Sequence, residues 1–150
     1  MLAERVYSQE YVDLCRSRVA TQMVDFGRIA PDSTVRNEAQ GEELERPNND
    51  WTAFEITFYN NMVIVLDAFF VNRARVVEGK DGNPLNEVRV LAASMMSNGD
   101  VLAGDSTISL RPARSVLGYR VGDAIRVNEA EFRRLSEAYF VEIERRFVSA

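Results

Sequence analysis

Two groups of side chains in this 150-residue chain have the type and spacing to do chemistry. The first is Asp67, a carboxylate set inside the apolar run MVIVLDAFF. Its neighbours one helical turn away are Val63, Ile64, Phe70 and Val71, so no local partner meets its charge. A buried Asp67 therefore needs a cation or hydrogen bonds from elsewhere in the chain. Asn60, Asp67 and Ala74 recur every seven residues and Glu78 follows them. That spacing traces a weakly polar stripe and favours an Asp67 that faces water. A structural ion pair and a ligand-binding carboxylate are the two alternatives.

The second group is Asn83, Asn86, Glu87 and Arg89. Asn83 followed by Pro84 reads as a helix cap and first helical residue, because proline lacks only a donor that is unpaired there. Asn86 and Arg89 stand one turn apart, with Glu87 offset. Capping and surface solvation form the plain reading. An anion pocket at the helix N-terminus is the sharper one, since free N–H groups and the helix dipole meet there. No glycine-rich cradle strengthens it. The ligand-binding candidates are thus Asp67, Asn83, Asn86 and Arg89, and no catalytic residue is assigned.

Composition closes several routes. The chain has no histidine, which removes the commonest general base and transition-metal ligand. Cys15 is the single cysteine, so neither an intrachain disulfide nor a multi-cysteine zinc site is available. No cofactor and no metal site is expected. Acidic residues outnumber basic ones by 23 to 18, which argues against general nucleic-acid binding. Met1–Ser8 carries no apolar signal-peptide core, so the cytoplasm is the default location.

The element that must position these groups is residues 51–78, read as one long helix and as the centre of the fold. Asp50 stands at its start and Gly79 after its end, and no Pro or Gly interrupts it. Phe54, Phe58, Met62, Val65, Phe69 and Val76 make one apolar face. Between Met62 and Val71, however, eight residues of ten are apolar. An ordinary surface helix needs only a stripe. The run is too short to span a bilayer, which takes about 20 apolar residues. Its second side must be covered by the rest of the chain or by another copy. A homodimer with Val63, Leu66 and Phe70 at the interface is the expectation, with a charge at Ala74 nearly silent.

The other elements follow from caps and periodicity. Ser8 caps a helix over 9–26 that Gly27 ends, with Tyr11, Leu14, Cys15, Val19, Met23 and Phe26 on its apolar face. Cys15 reads as a small buried hydrophobe. Residues 28–50 are polar, acidic and punctuated by Pro31, Gly41 and Pro47, so they read as a linker. A loop of this length is uncommon inside a compact domain, which leaves the first helix as an arm for its own domain or a neighbour. Lys80-Asp81-Gly82 is turn chemistry and Asn83–Asn98 a helix, which together make a helical hairpin with 51–78. Alternation allows short paired strands near 106–110 and 124–127. Asn128 caps a last helix with Phe132, Leu135, Tyr139, Ile143 and Phe147 as its stripe.

KDGNPLNEVRVLAASMMSNGD, SVLGYRVGDAIRV and NEAEFRRLSEAYFVEIERRF together resemble a family of small uncharacterised bacterial proteins, over roughly residues 54–148. The resemblance implies no activity and no catalytic residue. The reading is one mainly α domain: an N-terminal arm (1–27), a linker (28–50) and a core (51–150) that forms a helical bundle around the central helix. A short two-stranded β element near 106–127 is allowed. The expected function is a non-catalytic interaction domain that self-associates through that helix, without nucleic acid or membrane. The alternative is a small-molecule-binding protein or carboxylate-dependent enzyme. Its pocket lies between the 51–96 hairpin and the 100–127 segment.

Overall fold

A computed structural model describes residues 2–31 and 45–149, with the backbone alone for 45–49. Among the described residues the chain is mainly helical. The helices are α1 (Gln9–Ile29), α2 (Glu45–Phe69), α3 (Arg75–Glu78), α4 (Pro84–Ser97) and α5 (Glu129–Phe147). No described helix is long and apolar enough to cross a membrane.

Caps set three of the starts. The Ser8 hydroxyl accepts from the Tyr11 amide, Asn83 from Leu85 and Asn86, and Asn128 from Glu131. Each satisfies donors that the first helical turn leaves unpaired. Gly27 does not end α1, which runs two residues further to Ile29. A helix tolerates an interior glycine at a cost of about 1 kcal/mol, and the Ala30 amide closes the last turn on Phe26. The linker expected over 28–50 is helical at both ends, and its middle lies outside the described residues. Pro47 falls in the first turn of α2, where it forfeits no helical hydrogen bond.

The long helix expected over 51–78 is two helices. α2 stops at Phe69, and Phe70–Ala74 leave the helical path before α3. The N-terminal segment explains the break. The Glu4 amide donates to the Asn72 carbonyl (2.8 Å) and the Ala74 amide to the Glu4 carbonyl (2.7 Å). Two backbone groups that a continuous helix pairs internally, the Asn72 carbonyl and the Ala74 amide, are therefore paired with Glu4. The break also turns Arg73 inward, where its side chain is fully buried.

α2 packs against α4, α5 and α1. Its innermost row is Tyr59, Met62, Val63, Leu66 and the following Phe70, all nearly or fully inaccessible. The expected face is rotated from this row: Met62 is buried, but Phe54 is 49% and Val76 74% exposed. Val63, Leu66 and Phe70, the residues expected at a dimer interface, have 0% exposure within a single chain. The rest of the chain covers most of the apolar run, as α1 lays Val12, Cys15, Val19, Met23 and Phe26 into the same core, and leaves Ile64, Val65 and Phe69 half-buried and Val71 exposed. Burying such side chains is worth about 1.5–3 kcal/mol each, and here the monomer already obtains it. On the last helix, the expected stripe from Phe132 to Phe147 is buried throughout.

Residues 100–127 form no strand. One antiparallel bridge joins Val101 to Ala124, so 124–127 meets 100–102 rather than 106–110. Asn60 on α2 holds this segment: its amide donates to the Ile125 carbonyl (2.9 Å) and accepts from the Val127 amide (3.0 Å). A side-chain amide thus takes the place of a neighbouring strand. The expected strand at 106–110 gives its backbone elsewhere, with the Ser109 amide on the Lys80 carbonyl.

Candidate functional site

The four candidate residues converge on one cluster at the α2–α4 junction. Its centre is Glu78, whose side chain is wholly buried. Arg73 donates to it through Nε at 2.5 Å, Asn86 at 2.6 Å and Arg89 at 2.7 Å. Asn83 reaches the Glu78 backbone carbonyl at 2.8 Å while it caps α4. Asp67 joins through Arg73, whose guanidinium lies 2.9 Å from Oδ1. The remaining donors of Arg73 go to the carbonyls of Phe70 and Leu85. Its guanidinium also lies 5.7 Å from the centre of the Tyr139 ring.

Local sequence explains the placement. α3 is a single turn that aims Glu78 inward, and the Gly79–Gly82 turn returns the chain for Asn83 to cap α4. Gly79 and Gly82 both have positive φ, the region glycine enters without strain. Gly82 is required for a second reason: a Cβ there would collide with the Ser109 carbonyl. Asn86 then fixes the turn by accepting from the Gly82 amide and donating to the Gly79 carbonyl.

The stripe expected to face water is therefore largely interior. Asn60 is 6%, Ala74 3% and Glu78 0% exposed, and only Asp67 keeps a fifth of its side chain in solvent. A charge at Ala74 belongs to the buried class, not the silent one. Reasoning from helical neighbours missed Glu78 and Arg73 because they meet across a break that helical periodicity does not register. A signal was present in the sequence: two arginines, Arg73 and Arg75, interrupt an otherwise apolar run.

Both carboxylates of the cluster lie against guanidiniums: Arg73 reaches Asp67 and Glu78, and Arg89 reaches Glu78. Burial pushes the Glu78 carboxyl up, but the Arg89 hydrogen bonds, the nearby Arg73 and Arg89 charges and the Asn86 amide outweigh it and leave it below its ordinary value. A carboxylate held ionised, inaccessible and bonded on both oxygens is a poor general base. The ion pair reading of Asp67 fits this geometry, with a guanidinium six residues ahead as the cation from elsewhere. Glu87, set apart on α4, is also buried and receives the Val116 and Leu117 amides at 2.7 and 3.0 Å. Burial raises its carboxyl, and those two backbone donors only partly offset the rise.

Among the surface cavities outside the cluster, one lies where a pocket was expected and a second is lined mainly by aromatic side chains. A cleft of about 480 Å³ opens between α2 and residues 99–126, lined by Thr57, Asn61, Ile64, Met95, Val101 and Arg126 among others. It sits where a pocket was expected and contains none of the four candidates. The second is a groove of about 330 Å³ between the end of α1 and the start of α2. Phe26, Ile29, Trp51, Phe54 and Phe58 line it, with Gln22 and Asp25 on its rim. Phe26 packs on Trp51 (5.1 Å between centroids) and Phe58 (4.7 Å), yet Ile29 remains 72% exposed.

Compared with protein families, curated proteins and solved structures, the chain finds no match.

Proposed function

We propose that this chain is a non-catalytic interaction domain, a helical bundle organised on α2, that self-associates through the exposed N-terminal part of that helix. The observation that carries the reading is the aromatic groove at the start of α2, at the opposite end of that helix from the polar cluster. Phe54 is half exposed and Ile29 mostly so, on a chain whose charged candidates are already paired, Asp67 with Arg73 and Arg89 with Glu78. Contiguous exposed apolar surface marks contact sites in soluble proteins. A second copy presents the same groove, and twofold pairing is the commonest way to bury it. The surface differs from Val63, Leu66 and Phe70, which serve the core.

Light scattering at micromolar concentration tests this. The expected mass is twice the 17.0 kDa of one chain. Phe54→Glu sets a carboxylate in the groove and is expected to return the monomeric mass with helicity retained. A wild-type mass that stays at one chain on concentration overturns the proposal.

A second reading is supported by the cleft over residues 99–126. Its volume of about 480 Å³ falls within the size range of small-molecule pockets. In that reading the protein binds a small molecule between the helices and the 100–127 segment. A carboxylate-dependent reaction there lacks Asp67, which lies outside the lining. Native mass spectrometry of the purified protein distinguishes the two: a stoichiometric bound mass, lost on Ile64→Trp, favours the cleft.

A further inference from the structure

We propose that self-association proceeds by exchange of the N-terminal arm, residues 2–29, between two copies of the chain. This rests on the self-association proposed above and names its route.

The arm is a complete docking unit. Residues 2–7 lie across the α2–α3 break, with Glu4 bonded on both sides to residues 72 and 74 and the Tyr7 amide on the Phe147 carbonyl. Tyr7 packs edge-on against Phe70 at 4.9 Å. α1 follows, with one buried row and with Arg16 and Gln9 both reaching Glu144. The Tyr11 hydroxyl donates to the Phe69 carbonyl at 2.6 Å. Every one of these contacts joins the arm to the body. The arm of a second copy offers identical groups, so exchange requires no new complementarity.

Connection length and surface both suit the crossing. Ile29 and Trp51 line the same groove, so the arm ends beside the start of α2. Residues 31 and 45 stand 14 positions apart in the sequence, so the chain can separate them by at most about 50 Å, which bounds how far an exchanged arm sits from its own body. The groove of Phe54, Phe58, Trp51 and Ile29 lies at this crossing point. In an exchanged pair, that is where two bodies approach and where exposed apolar surface gains cover.

The test uses the Arg16–Glu144 contact. Both side chains are about one-third or more exposed, so cysteine at either position leaves the core intact. Arg16→Cys and Glu144→Cys are made in separate copies, each also carrying Cys15→Ala. The two are unfolded together, refolded and treated with a short bismaleimide. The expected product is a covalent species of two chains in the mixture, absent from either variant alone. A dimeric mass in which Arg16→Cys/Glu144→Cys links only within one chain overturns exchange and leaves self-association standing. A monomeric mass overturns both. If circular dichroism shows that Arg16→Cys fails to fold, Gln9→Cys replaces it, because Gln9 lies 3.1 Å from the same carboxylate.

Discussion

Arg73 and Glu78 meet at 2.5 Å with both side chains wholly excluded from solvent. They are five residues apart and belong to no common helix. Removing Arg73 takes one of two guanidiniums from Glu78, which keeps Arg89, and the neighbouring guanidinium from Asp67; breaking a buried pair costs up to about 3–5 kcal/mol. Arg73→Met is therefore expected to lower the urea midpoint sharply. Arg73→Met/Glu78→Gln should recover part of the loss, since Asp67 then stands against Arg89 instead of two carboxylates against one guanidinium. Equal midpoints for Arg73→Met and wild type would show the pair to be energetically idle.

The two buried glutamates respond to pH with opposite signs. Glu78 is held below the ordinary carboxyl value of 4.5. Its contribution is fully present above that unfolded value and is lost as pH falls through the lower folded one. Glu87 is raised above 4.5, so its folded state takes up a proton first. It contributes stability that grows as pH falls through the raised folded value and then levels below the unfolded one. Urea unfolding from neutral pH to pH 3 reads both: Glu78→Gln should flatten the acid loss, whereas Glu87→Gln should steepen it. The same slope in all three proteins would contradict the assignment.

Asn60 is expected to matter more than its single amide suggests. Replacement by leucine leaves the Ile125 carbonyl and Val127 amide without their partner. An unsatisfied buried backbone group costs about 1–3 kcal/mol. Amide exchange at Val127 should accelerate in Asn60→Leu while exchange within α5 changes little. Unchanged protection at Val127 would mean that other contacts hold the 125–127 segment.

Two glycines make a matched pair. Gly82 has φ of +84° and no room for a Cβ, so Gly82→Ala should be strongly destabilising. The left-handed backbone alone costs about 1–2 kcal/mol for a residue with a Cβ, and the collision with Ser109 adds to it. Gly27 lies within α1 with open space around it. Gly27→Ala is expected to stabilise by about 0.5–1 kcal/mol through helix propensity. Thermal melts of the two variants should move in opposite directions; a Gly27→Ala melt below wild type would argue that α1 is strained at that point.

The sequence by itself determined what local chemistry controls. Ser8, Asn83 and Asn128 cap helices because their side chains reach amides two or three residues ahead, a contact that needs no distant partner. The stripe of α5 and the mainly helical class follow from 3.6-residue periodicity for the same reason. The missing histidine and the single cysteine narrowed the chemistry before any fold was known. Tertiary structure decided the rest. It ended α2 at Phe69, since the groups that relieve the break come from Glu4, nearly seventy residues earlier. It chose which of two apolar rows of α2 faced inward, which depends on the shapes of α1, α4 and α5. It also made the polar stripe of Asn60, Ala74 and Glu78 interior. Periodicity ranks a face by polarity, but a polar face can be buried when guanidinium and backbone groups arrive to satisfy it, and Arg73, Arg89 and the 125–127 backbone do so here.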